Sequence, residues 1–194
     1  MTNEMVPLDK IGSLPFPEDH VVCNYPERNY GELLLVSAQI KEKIISYSSR
    51  RILIVTEDSF YFVATLFACW SAKCIPVIAP DTLPHTIEQL EDIVACIVSN
   101  SFSEYSGKLN RLWKDSTVQK PLKPFSLNPN TTAFELFTSG STGKRKSIPK
   151  TFRQISNELI VLEKLWGEKV DGKISVGTVS HKHIYGLLFR VLWP

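Results

Sequence analysis

The sequence has no strong excess of charge: 22 Lys and Arg stand against 20 Asp and Glu, a formal net charge of +2 at pH 7. Such a balance gives no electrostatic reason to invoke nucleic acid or an anionic membrane surface. No apolar run reaches transmembrane length; the richest, Phe60 to Trp70, is too short. The opening MTNEMVPLDK carries acidic residues and no apolar core, so no secretory signal is expected. Cysteine is sparse, and Cys23, Cys69, Cys74 and Cys96 include no CxxC pair. Most of them lie in apolar segments, where a free thiol behaves as a small hydrophobe, which predicts reduced cysteines and a cytoplasmic protein. Histidine is too scattered for a metal motif. His181 and His183 alternate at a possible strand end, but no third ligand lies nearby, so no metal site is predicted within the chain. Internal repeats and low-complexity tracts are also missing.

What remains is a chain of 194 residues, 43% hydrophobic, long enough for one sizeable α/β domain or two small ones sharing a core. Residues 1–29, with Pro7, Pro15, Pro17 and Pro26, read as an irregular lead-in. From Tyr30, YGELLLVSAQIKEKI mixes apolar and charged positions as an amphipathic helix does. RILIVTE (51–57) is a β-branched run of the kind buried in parallel sheets. Asp58 can cap the next helix, where Phe62, Leu66 and Trp70 fall at helical spacing. A second buried strand is predicted at 74–80, a helix over 86–92 and a strand over 93–99. This alternation predicts βαβ units and a parallel sheet. Residues 100–130, rich in Ser, Lys, Pro and Asn, read as a linker closing a first α/β subdomain (30–130). Residues 131–194 then begin a second subdomain. It holds a strand at 132–139, a glycine-rich turn, and a helix from Thr151 with buried Ile155, Leu159, Leu162 and Trp166. Thr151 and Gln154 are spaced as a capping box. A further strand is predicted at 173–180, followed by a helix start in HKHIYGLLFRVLWP.

The segment with chemical content runs from Leu136 to Ile155. Thr138, Ser139, Gly140, Ser141, Thr142 and Gly143 form a run of small residues directly after a strand. Glycines allow a sharp turn and close approach to a ligand, and consecutive backbone N–H groups there can converge on a phosphate. The hydroxyls add donors, and Lys144, Arg145 and Lys146 add positive charge. The P-loop pattern is excluded, since Arg145 follows Gly143–Lys144 and Thr138 stands where a glycine is required. The G-x-G-x-x-G fingerprint is absent as well. By composition alone, a solvated Ser/Gly/Thr linker with a basic surface cluster stays equally open.

TSGSTG, with a lysine at Lys146 and a threonine at Thr151, resembles the signature of the adenylate-forming superfamily of acyl- and aryl-CoA synthetases, luciferases and peptide-synthetase adenylation domains. That signature is approximately [ST]-S-G-[ST]-T-G-x-P-K-G. Arg145 replaces its usual proline and Ser147 its usual glycine. VSHKHIYGL (179–187) is similar to the family's P-L-[FY]-H-x-[FY]-G-L segment, with His183, Tyr185 and Gly186 on matching positions. YGELLLVSAQIKEKI resembles the family's opening helix. RILIVTEDSFYFVATLFACWSAKCIPVIAPD resembles its strand–helix–strand unit, with Ser71-Ala72-Lys73-Cys74 in place of a small "A-G-A" tract.

The resemblance implies the N-terminal part of an AMP-forming ligase with an α/β fold. ATP and a carboxylic acid, fatty or aromatic, would give an acyl-adenylate, and CoA or a carrier-protein pantetheine would then take the acyl group. Thr138, Ser139, Gly140, Ser141, Thr142, Gly143 and Lys146 would hold the nucleotide phosphates, Lys146 being the catalytic candidate. His183, Tyr185 and Gly186 would line the substrate pocket. The family's ligands for Mg2+, adenine and ribose, and its lid lysine, have no counterpart in these residues, so the chain alone is expected to be inactive. A non-catalytic binding or scaffold module on the same fold is the alternative.

Overall fold

The structure, a computed structural model, describes residues 6–14, 16–46, 51–99, 109–110, 116–138 and 146–194. The lead-in is more regular than its prolines suggest. A 3₁₀ turn, Leu8–Ser13, precedes a small hairpin of β1 (Val21–Asn24) and β2 (Glu27–Asn29) around a cis Tyr25–Pro26 bond. Asn29 and Glu32 then form a reciprocal capping box that starts α1 (Tyr30–Ile44).

The main sheet runs from β3 (Arg51–Val55) through β4 (Ile75–Ile78), β5 (Cys96–Ser99), β6 (Leu109–Asn110) and β7 (Thr132–Thr138) to β8 (Lys146–Thr151) in chain order. Its spatial order is β6-β5-β3-β4-β7-β8. Every pairing is parallel except β7 with β8, so the expected parallel sheet carries an antiparallel edge strand. Three helices connect or follow these strands: α2 (Ser59–Ser71), α3 (Pro84–Glu91) and α4 (Phe152–Val170). The Asp58 carboxylate accepts from the Phe60 and Tyr61 amides, as its cap position predicts, and Thr151 with Gln154 caps α4.

Successive strand residues face opposite sides of a sheet. On one side Ile52, Ile54, Ile78 and Val98 join α1, α2 and α4 in the main core, with Phe62, Phe134 and Phe152 fully enclosed. The Trp70 indole donates to the Ala133 carbonyl at 2.8 Å and ties α2 to β7. On the other side Leu53, Val55, Val77, Ile97 and Phe137 pack with Ile87 and Leu90 of α3. The crossover from β3 to β4 therefore uses one face of the sheet, and that from β4 past β3 to β5 uses the other. Right-handed crossovers running in opposite directions require this arrangement.

Two sequence expectations fail here. Residues 173–180 form no strand: among the described residues no partner strand lies beside them, Val176 is 90% exposed, and the segment is tied by the Ser175 hydroxyl to the Phe189 carbonyl. Trp166 does not join the buried stripe of α4. It is 41% exposed and packs against Phe189 and Trp193. The final segment does turn helical, as α5 (Ile184–Leu187) followed by a π-type turn, Leu188–Leu192.

Candidate functional site

Parallel strands end together. Here the chain leaves β3 and β4 toward opposite faces, so the topology puts the crevice in which open α/β sheets bind ligands between their carboxyl ends. Extending the paired row Ile54–Ile78–Leu136 by two residues sets Thr56 level with Thr138, about 10 Å away across β4. Thr138 pairs with Lys146, so the two residues bracket 139–145 at this end of the sheet. Lys146 is exposed at the start of β8. Ser139, Gly140, Ser141, Thr142 and Gly143, together with Lys144 and Arg145, lie outside the described residues, as does the side chain of Thr138.

The segment 180–187 reaches the same end of the sheet. His181 is buried, with Nε2 3.1 Å from the Thr56 carbonyl and Nδ1 3.3 Å from the Ser59 hydroxyl. The carbonyl can only accept, so in the neutral ring Nε2 carries the proton and Nδ1 accepts from Ser59. Its ring lies 4.5 Å from that of Phe62. Burial holds the imidazole below its ordinary value of 6.5, although the Thr56 carbonyl works the other way. Lys182, 8% exposed, forms an ion pair with Glu57, whose Oε1 also accepts from the Thr82 hydroxyl at 3.2 Å. The hydrogen bond from Lys182 is the main reason the Glu57 carboxyl sits below its ordinary value of 4.5.

Of the residues predicted from the pattern, His183 is exposed at the start of α5, and its side chain does not cap that helix. Tyr185 is 69% exposed. Gly186 is buried so tightly that a Cβ there would stand 2.1 Å from the Ser180 carbonyl oxygen. Leu187 and Leu188, which follow directly, are in the main core. Sequence reasoning missed the anchoring residues His181, Lys182, Glu57 and Thr56. The alternating His181-Lys182-His183 was visible as a signal, but not which histidine would turn inward. Among the described residues, no group of three or more His, Cys, Asp or Glu side chains is gathered to hold a metal, and no helix is long and apolar enough to cross a membrane.

In sequence this chain is similar to AMP-forming, adenylate-forming ligases, and its mixed α/β architecture matches that of their N-terminal domain. In sequence it is 28% identical over 171 residues to the medium-chain-fatty-acid–[acyl-carrier-protein] ligase JamA of Moorena producens, an alignment covering 75% of this chain and 28% of that protein. It is also 28% identical over 137 residues to the 2-succinylbenzoate–CoA ligase of Staphylococcus epidermidis, covering 68% of this chain and 29% of that protein. Among solved structures, the o-succinylbenzoate CoA synthetase of Bacillus subtilis in complex with AMP matches its fold with a TM-score of 0.67 at 20% identity, over 84% of this chain and 46% of that one. No protein-family model matches the chain. The chain thus spans less than a third of the length of these curated relatives.

Proposed function

We propose that this chain supplies the phosphate-binding and acid-facing parts of an AMP-forming ligase that activates a fatty or aromatic carboxylic acid. The observation that carries the reading is the placement of Thr138 and Lys146, which bracket the TSGSTGKR run, at the same sheet end as the anchored segment 181–186. In the first half-reaction a carboxylate oxygen attacks the α-phosphorus of ATP. The bond to the bridging oxygen of the β-phosphate breaks, and pyrophosphate leaves with that electron pair. Thr138 to Gly143 and Lys146 hold the departing phosphates, so catalysis here is positioning and charge neutralisation. A thiol of CoA or of a carrier-protein pantetheine then attacks the acyl carbon, and AMP leaves. His183, Tyr185 and Gly186 face the acid. Mg2+ would accompany the ATP phosphates, with its ligands mostly outside this chain; among the described residues no group of three or more His, Cys, Asp or Glu is gathered for it. On this reading residues 1–29 are a lead-in, 30–130 a first subdomain with its linker, and 131–194 the start of a second. Four cysteines outside any disulfide suit a reducing compartment such as the cytoplasm.

The acid is proposed to lack a free α-amino group. A buried ammonium needs an anionic partner, and no Asp or Glu occurs from Lys173 to Pro194. The names of the two curated relatives, one acting on a fatty acid and one on an aromatic acid, agree with this class.

The test is carboxylate-dependent ATP–pyrophosphate exchange by the full-length protein, with parallel panels of fatty, aryl and amino acids. Exchange with a fatty or aryl acid is expected. Lys146→Ala should lower it about 10- to 100-fold, from a charge-assisted contact of roughly 1.5–3 kcal/mol, without lowering Tm. Preference for a free amino acid would overturn the substrate class, and unchanged kinetics in Lys146→Ala would remove that lysine from the site. A second reading, a non-catalytic binding or scaffold module, draws support from the departures at Arg145 and Ser147. It predicts nucleotide binding without exchange.

A further inference from the structure

A carboxylate is buried in the sheet close to the proposed phosphate site without facing it. Glu135, in the middle of β7, is 5% exposed. Burying a carboxylate costs several kcal/mol unless partners surround it. The partners come from strands on both sides of β7. Arg51 of β3 donates from Nη2 at 3.0 Å to Oε1 and from Nε at 3.2 and 3.3 Å to the two oxygens. Ser147 of β8 donates from its hydroxyl to Oε2 at 3.0 Å. Arg51 is about half exposed whereas Glu135 is almost fully enclosed, so the cost of an unpaired charge falls chiefly on Glu135.

The location explains what this network can do. The β7–β8 pair joins the parallel sheet only through β4, and that ladder is short: Val77 pairs with Glu135 and Ile78 with Leu136. The β3–β4 ladder, by contrast, runs from Arg51–Ile75 to Ile54–Ile78. Directly across from Glu135 stands Pro149, which has no N–H to donate to the β7–β8 ladder. The backbone of Ser147 pairs with Phe137, and its hydroxyl adds a side-chain tie from β8 to Glu135 of β7, two residues from Pro149 and one from Lys146. Arg51 reaches over β4 to tie the same carboxylate to β3, whose far end anchors His181 through Thr56.

We propose that Glu135 is a positioning residue. Bridged to Arg51 and Ser147, it sets the place of the β7–β8 pair, and so of Lys146, relative to the crevice at the carboxyl ends of β3 and β4. Ser147, which stands where the resembling pattern has glycine, is a working part of this tie. The proposal rests on the phosphate-binding reading of the site.

The experiment measures ATP–pyrophosphate exchange by the full-length protein, with the acid it uses best, as a function of ATP concentration. Ser147→Gly and Glu135→Gln should raise the KM for ATP roughly 3- to 30-fold, with kcat per folded molecule changing less. Ser147→Thr, which keeps the hydroxyl, should retain the wild-type KM. If Glu135→Gln does not fold, the Ser147 pair decides the matter. A lower Tm in Ser147→Gly with KM unmoved would reduce the network to a structural role and overturn the proposal alone. A wild-type protein with neither exchange nor nucleotide binding would overturn the reading of the site as well.

Discussion

At the scale of single residues, backbone strain and burial leave distinct marks. Lys73 sits just past α2 at φ 58°, a left-handed conformation that costs an L-residue about 1 kcal/mol or more. It holds the turn in which the Cys74 amide reaches back to the Cys69 carbonyl at 2.8 Å, a helix ending that glycine normally serves. Lys73→Gly removes the Cβ clash but adds freedom to the unfolded chain, so the net gain is expected to be about 0.5–1 kcal/mol. Urea unfolding should show a higher midpoint; a lower one would mean that the lysine stem contributes packing worth more than the strain. The thiols behave as buried hydrophobes. Burial pushes Cys96 up to about 12 and Cys69 well above its ordinary value, which keeps both as unreactive thiols.

At the scale of elements, the segment 180–187 is shaped by one glycine. The His183 amide donates to the Ser180 carbonyl at 3.1 Å, and the Leu187 amide to the His183 carbonyl at 2.8 Å. Gly186 packs directly on the backbone of Ser180 and Val179, with no flexible side chain in between to give way. Gly186→Ala must push these two strands of the turn apart. The expected cost is about 1–3 kcal/mol, as for overpacking in a core, and a Tm lower by several degrees. Thermal melting at unchanged Tm would show that the turn is softer than its contacts indicate. The same displacement would move His183 and Tyr185, so activity should fall together with stability.

At the scale of the whole molecule, two titrating groups at the sheet end make the fold sensitive to acid. His181 is held below 6.5 by burial. As pH falls through that value, the unfolded chain binds a proton that the folded chain refuses, so stability present above about pH 6.5 declines until the folded value is reached. Glu57, held below 4.5 mainly by Lys182, adds a loss of the same sign at lower pH. Tm should therefore fall as pH drops through about 6.5, and His181→Gln should flatten that part of the profile. An equal fall in the variant would mean that His181 is not the group responsible.

Local signals were legible in the amino-acid sequence wherever a residue acts on its near neighbours. The caps at Asp58 and Thr151, the buried runs of β3 and β4, the helix with Phe62, Leu66 and Trp70, and the alternation that predicts a parallel sheet all depend on short-range pattern. So does the TSGSTG run, which carries the resemblance to adenylate-forming enzymes; its residues from Ser139 to Gly143 lie outside the described residues. What required the tertiary structure depends on partners far along the chain. KSIPKT became β8 because β7 offered it an edge, and proline there masked the strand. ISVGTV had strand composition but pairs with no strand among the described residues and is irregular. His181 rather than His183 turned inward because Thr56 and Ser59, more than a hundred residues earlier, supply its hydrogen bonds. Glu135 is buried only because Arg51 and Ser147 converge on it from different strands. A charge or strand pairing is decided by the groups that surround it in space, and those are set only once the sheet has assembled.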